Sequence, residues 1–220
     1  MFDLDNTLVD FNIASKKALV QTCADNKLEF NDNFYATYSK INKQCWEDFE
    51  AGTKTAMDIR KERFTHTFEQ LGITHLNGFA FNAEYLQHVV GFTEAYDGVV
   101  VMLKLLKDNY LLSIVTNGLK EVQRPRMDLV QITTYFDSII VSDEIGFNKP
   151  ETAYFEFAFN SLDKEFDKNK VLVVGDSLRS DIAGANNFGL QSCWISNGKV
   201  NDTDIVPDHT IEKVVGLLAY

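Results

Sequence analysis

Residues 171–185 read "VLVVGDSLRSDIAGA". An apolar run ends at Gly175, carboxylates follow at Asp176 and Asp181, and Ile182, Ala183 and Ala185 then fall at helical positions. A short, continuous, valine-rich run fits a strand buried on both faces, which is how the strands of a parallel sheet read. Ser180 stands where the N-cap of the following helix is expected. One strand–turn–helix unit decides little, but the pattern recurs on both sides of it.

"LLSIVT" (111–116), "SIIVS" (138–142) and "SCWIS" (192–196) are runs of the same kind. Phe155, Ala158, Phe159 and Leu162 repeat at helical spacing behind Pro150, and Thr210 is expected to cap a last helix carrying Val214, Val215 and Leu218. Pro125 falls where a helix should follow residue 116, so a late start or a kink is expected there. Strands alternating with helices predict right-handed βαβ units, hence an α/β fold with a Rossmann-like three-layer core around a parallel sheet.

Residues 12–95 are different in kind. They contain no proline and no strand pattern, only amphipathic stretches broken at "ADNKLEFND", "EAGTKTA" and "GITHLNGFAFN". Phe64, Phe68 and Leu71 make the i, i+4, i+7 stripe of a helix packed on other helices. About four helices are expected, inserted as a bundle into a core formed by residues 1–11 and 96–220.

Composition sets limits on partners. The chain has 220 residues, 45% hydrophobic and 24% charged, with a formal net charge of −11. Nucleic acid is not expected as a partner, because phosphate backbones demand a basic face. No apolar run approaches the ~20 residues of a membrane span, and the acidic opening lacks the features of a signal peptide. Three scattered cysteines (Cys23, Cys45, Cys193) read as thiols in a reducing cytoplasm.

Doubly wound sheets bind ligands at the carboxyl ends of their strands. The apolar pair Met1–Phe2 is followed by Asp3, Asp5 and Thr7, and the run to residue 116 by Asn117 and Gly118. Lys149 lies beyond the 138–142 run, and Asp176 and Asp181 follow the run ending at Gly175. "DLDNT", "VTNG", "NKP" and "GDSLRSD" match, in order, the four motifs of the haloacid dehalogenase (HAD) superfamily of phosphohydrolases, and the helical insert resembles its C1-type cap.

That resemblance implies a reaction. Asp3 would attack phosphorus and form an aspartyl-phosphate, while Asp5 would protonate the leaving oxygen and then deprotonate water. Mg²⁺ would be held by the Asp3 carboxylate, the backbone carbonyl of Asp5 and the Asp176 carboxylate. Asp181 would orient a metal-bound water. Thr116 and Asn117 would donate to the phosphoryl oxygens, and Lys149 would neutralise charge there. Cation and lysine together would let an acidic protein take an anionic substrate. A dehalogenase would use the same nucleophile on carbon, but without the metal or the second acid.

In the insert, "INKQCWEDFEAGTKTAMDIRKERF" (41–64) resembles the cap of HAD pyrimidine 5′-nucleotidases, which implies a nucleoside monophosphate substrate. Trp46 would then stack a base, or pack in the bundle, and Asn42 or Arg63 would contact base or sugar. A phosphosugar phosphatase such as N-acylneuraminate-9-phosphatase shares the motifs, and a non-catalytic phosphate-binding regulator is a third possibility. Only Met1 and Phe2 precede Asp3, few for a central strand of typically ~5–6 residues. The expectation is that the chain's natural N-terminus lies upstream.

Overall fold

The computed structural model describes residues 1–162 and 167–219. The chain divides into two compact units, one of residues Met1–Phe11 and Glu94–Tyr220, the other Asn12–Thr93.

In the first unit β1 (Ser113–Thr116) pairs with β2 (Ser138–Val141), and β3 (Leu172–Gly175) pairs with β4 (Gln191–Ile195), which pairs with β5 (His209–Ile211). All pairings are parallel. Residues 1–3 join the two groups. Phe2 N donates to Ser113 O at 2.7 Å and Phe2 O accepts from Val115 N at 2.8 Å, while on the other side Asp3 N donates to Val174 O at 2.9 Å. The spatial order is therefore β2, β1, residues 1–3, β3, β4, β5, the arrangement of a dinucleotide-fold sheet. Short as it is, the segment Met1–Asp3 is buried and bonded along both edges.

Alternation along the strands makes three layers. Phe2, Ile114, Val174 and Cys193 face one way, with Val99, Met102 and Leu103 of α5 (Val99–Lys107) and Met127 of α6 (Lys120–Leu129). Met1, Val115 and Val173 face the other way, with Tyr154, Phe155 and Ala158 of α8 (Thr152–Asn160), which follows the one-turn α7 (Ser142–Ile145), and with Ala185 of α9 (Ala183–Phe188). Successive strand residues point to opposite faces, so each apolar run feeds both layers.

Three local expectations are corrected. Ser177, not Ser180, is the cap after β3; its side chain accepts from Ser180 N, and a π-helical turn, Leu178–Ile182, precedes α9. Thr210 lies within β5, which no apolar run announced, and Val214–Ala219 is a 3₁₀ turn. α6 starts at Lys120 and runs through Pro125 to Leu129 instead of starting late. Among the described residues, no helix is long and apolar enough to cross a membrane.

The second unit contains α2 (Asp32–Glu50), α3 (Ala56–Leu71), α4 (Gly78–Gly91) and all but the first residue of α1 (Phe11–Asp25). Its breaks are capped by Asn31, Thr55 and Asn77, whose side chains each accept a backbone N–H. Phe64 is the centre of its core, with Tyr38 stacked on it at 5.0 Å and Phe81 edge-on at 4.8 Å.

Candidate active site

After Asp3 the chain leaves the sheet in a tight turn. Leu8 N donates to Leu4 O at 2.9 Å and Asn6 N to Val9 O at 2.8 Å, with Asn6 left-handed at φ 59°. Asn tolerates that conformation. Asn197, beyond β4, steadies the turn through Nδ2 to Asn6 O at 2.9 Å. The turn re-aims Asp5, which an unbroken strand would leave one register step beyond Asp3.

Lys149 is buried, and its ammonium donates to Asp3 Oδ1 (2.7 Å), Asp181 Oδ1 (2.6 Å) and Val115 O (2.7 Å). All three of its hydrogens are engaged. Burial alone would lower this ammonium's pKa, but the Asp181 and Asp3 charges more than offset that and hold it above the ordinary lysine value. Asp181 also accepts Ser177 N at 3.0 Å. Gly175 makes room for this carboxylate, because a Cβ there would overlap it.

Asp3, Asp176 and Asp181 each offer an oxygen within 4.8 Å of the others. Burial pushes the Asp3 carboxyl well above its ordinary value; Lys149 opposes this, and Asp181, Asp176 and Asp5 add to it. Burial and the Asp181 charge push Asp176 up to about 6, against the weaker pull of Lys199 at 3.4 Å. Trp194 on β4 fixes the Asp176 backbone, its Nε1 donating to Asp176 O at 2.9 Å. Two crowded carboxylates carrying raised pKa values are short of positive charge. Their hard oxygen donors fit a divalent cation such as Mg²⁺.

Thr116 Oγ1 accepts from Gln123 Nε2 at 2.7 Å and from Gly118 N at 3.2 Å. With both lone pairs used, its hydroxyl is left as a donor. Asn117 binds the backbone of Lys149 twice: Nδ2 donates to Lys149 O and Oδ1 accepts Lys149 N, both at 2.8 Å. Most of its side-chain capacity thus holds the lysine segment in place. Asp5 Oδ1 lies 2.6 Å from Arg126 Nη2, and its Oδ2 accepts from Gln123 Nε2 at 3.0 Å.

The first unit therefore brings Asp3, Asp176, Asp181 and Lys149 into one cluster, with Thr116, Gln123, Asp5 and Arg126 linked in a second network. Gln123, Arg126 and Trp194 were not anticipated. The available signal was two polar residues, Gln123 and Arg126, at i and i+3 on the helix after "VTNG". In the second unit Arg63 is buried, donating through Nε to Asn82 Oδ1 at 2.6 Å and through Nη1 to Asn42 Oδ1 at 3.4 Å, over the Tyr85 ring at 4.9 Å. Trp46 is half-buried, edge-on to Phe49 at 5.7 Å.

Comparison with known proteins identifies the chain's relatives. HAD-hydrolase YfnB of Bacillus subtilis (strain 168) is 30% identical over 215 residues, 97% of this chain and 91% of that protein. A crystal structure of YfnB bound to magnesium aligns with a TM-score of 0.91 over 99% of this chain and 95% of the other. Pyrimidine 5′-nucleotidase YjjG of Escherichia coli (strain K12) is 28% identical, over 97% of this chain and 92% of its own length. Human N-acylneuraminate-9-phosphatase is 27% identical, over 99% and 91%. Residues 1–195 match the haloacid dehalogenase-like hydrolase family, and the chain belongs to it.

Proposed function

We propose that the protein is a Mg²⁺-dependent phosphomonoester hydrolase working through an aspartyl-phosphate, with pyrimidine nucleoside 5′-monophosphates as substrates. The observation that carries the chemistry is the Asp3 carboxylate, buried against Lys149 and grouped with Asp176. The similarity to YjjG supports the substrate class.

Asp3 attacks phosphorus as the ester P–O bond breaks, and Asp5 gives its proton to the departing nucleoside oxygen. Asp5 then takes a proton from the water that attacks the phosphoryl group, releasing inorganic phosphate and restoring Asp3. Thr116 donates its hydroxyl hydrogen to a phosphoryl oxygen, and Asn117 holds the Lys149 segment while offering its remaining amide hydrogen. With its three hydrogens engaged, Lys149 acts on the phosphoryl group as a buried positive charge. A divalent cation on the Asp3 and Asp176 carboxylates and the Asp5 carbonyl would supply the charge neutralisation that lets a carboxylate approach a phosphate dianion. We assign substrate selection to the helical unit, with half-buried Trp46 as the base-stacking side chain. Arg63, buried and bonded to Asn42 of α2 and Asn82 of α4, braces the three helices from within.

The test is phosphate release from UMP, dUMP, dTMP, purine nucleotides and sugar phosphates, with Mg²⁺ and with EDTA. Mg²⁺-dependent release favouring the pyrimidine nucleotides, and lost in Asp3→Asn, is expected. Release from sugar phosphates alone would favour the second reading, to which the similarity with N-acylneuraminate-9-phosphatase points. No release from any of them would overturn the hydrolase assignment.

A further inference from the structure

Arg126 carries a full positive charge yet is 1% exposed, and Gln123 is 0% exposed. Burying such groups is costly unless every polar atom is used, and an apolar side chain would fill the space at less cost. Both side chains converge on Asp5. Arg126 Nη2 lies 2.6 Å from Asp5 Oδ1, Gln123 Nε2 donates to Asp5 Oδ2 at 3.0 Å, and Arg126 Nη1 donates to Gln123 Oε1 at 2.7 Å. The second hydrogen of Gln123 Nε2 goes to Thr116 Oγ1 at 2.7 Å. The guanidinium lies over the Phe11 ring, 5.1 Å from its centre. Space for the glutamine comes from Gly118, where a Cβ would overlap the Gln123 amide.

We infer that Arg126, with Gln123, is a positioning residue that holds the Asp5 carboxylate in one orientation, and that Gln123 ties this orientation to the phosphate-binding hydroxyl of Thr116. This rests on the hydrolase mechanism proposed above. Proton transfer in the first step requires the acid within hydrogen-bond reach of the leaving oxygen. A carboxylate on a turn, 27% exposed, would otherwise sample several rotamers. Arg126 meets Asp5 Oδ1 as an ion pair and Gln123 uses one lone pair of Oδ2, which keeps its second, so a proton can still be carried. Both side chains are buried behind Asp5, so the pair acts through Asp5.

A leaving-group comparison isolates this role. Alkyl esters need the departing oxygen protonated, whereas p-nitrophenolate leaves with little help. Values of kcat/KM report phosphoryl transfer to Asp3 and exclude the later hydrolysis. For Arg126→Met and Gln123→Leu, the ratio of kcat/KM on p-nitrophenyl phosphate to that on the best nucleotide is expected to rise about tenfold or more, toward the ratio of Asp5→Asn. Arg126→Lys is expected to restore part of it. The ratio cancels any shared loss of folded protein, metal or Thr116 geometry. An unchanged ratio in folded variants, whatever their absolute rates, would overturn the inference while leaving the hydrolase assignment intact. Absence of turnover by the wild-type protein on either ester would overturn both. Gln123→Leu, close in volume to glutamine, carries the test if Arg126→Met fails to fold.

Discussion

Lys149 is the residue on which the charge balance of the site turns. It compensates two buried carboxylates at once, and removing one partner of such a group leaves uncompensated charge in a dry place. Lys149→Ala is therefore expected to cost about 3–5 kcal/mol of stability, measured by urea denaturation without metal. A loss below about 1 kcal/mol would mean that water replaces the ammonium and that the cluster is not dry. At the same scale, the acids after the strand ends were legible in the sequence because a carboxylate at a strand end is a local pattern. Their counter-charges were less so. Lys149 was visible through its "NKP" setting, but Arg126, one of five arginines, gains its partner only when α6 places it against Asp5.

Among the elements, α3 shows how a helix start is specified. Thr55 Oγ1 accepts Asp58 N at 3.2 Å and Asp58 Oδ2 accepts Thr55 N at 2.8 Å, a reciprocal capping box before a helix that buries Phe64 and Phe68. Thr55→Ala is expected to cost about 1 kcal/mol, read as a lower urea midpoint at unchanged slope. An unmoved midpoint would assign the start of α3 to core packing alone. The turn after β3 works differently. Ser177 caps it, the helix opens with a π turn, and Asp181 faces back over Gly175 toward Lys149. π-helical turns are frequent at functional sites because the wider turn re-aims side chains. The residue type of Ser180 suggested an ordinary start there; with the cap at Ser177 and the π turn, Asp181 is buried against Lys149.

For the whole molecule, a net charge of −11 and the crowded acids make pH and divalent cation act on the same balance. Asp176 is held near 6 against an ordinary 3.8. Its charged form therefore costs the folded state stability above about pH 6, and that cost fades as pH falls toward 4. Cation binding needs the ionised carboxylate and offsets the cost. Mg²⁺ affinity is thus expected to weaken as pH drops through about 6, approaching tenfold per unit below it for one linked proton. Calorimetric titration at pH 7.5 and 5.5, with the Mg²⁺-induced rise in Tm as a second readout, checks this. Equal affinity at both pH values would remove Asp176 as a ligand.

By itself the sequence determined the α/β class, four of the five named strands and the four helices of residues 11–91, because burial on two faces and the 3.6-residue period are written in neighbouring residues. It also placed acids, a hydroxyl and a lysine after strand ends. The central place of residues 1–3 followed from the family resemblance and not from their own pattern; the tertiary structure sets them between β1 and β3, through partners more than 100 positions away. It also decided that β5 forms, as an edge strand whose first two residues are exposed and polar. The same holds for the pairing of Asp3 with Lys149 and of Asp5 with Gln123 and Arg126. Charge pairing across such separations depends on where the sheet and α6 deliver each side chain, and no local pattern encodes that.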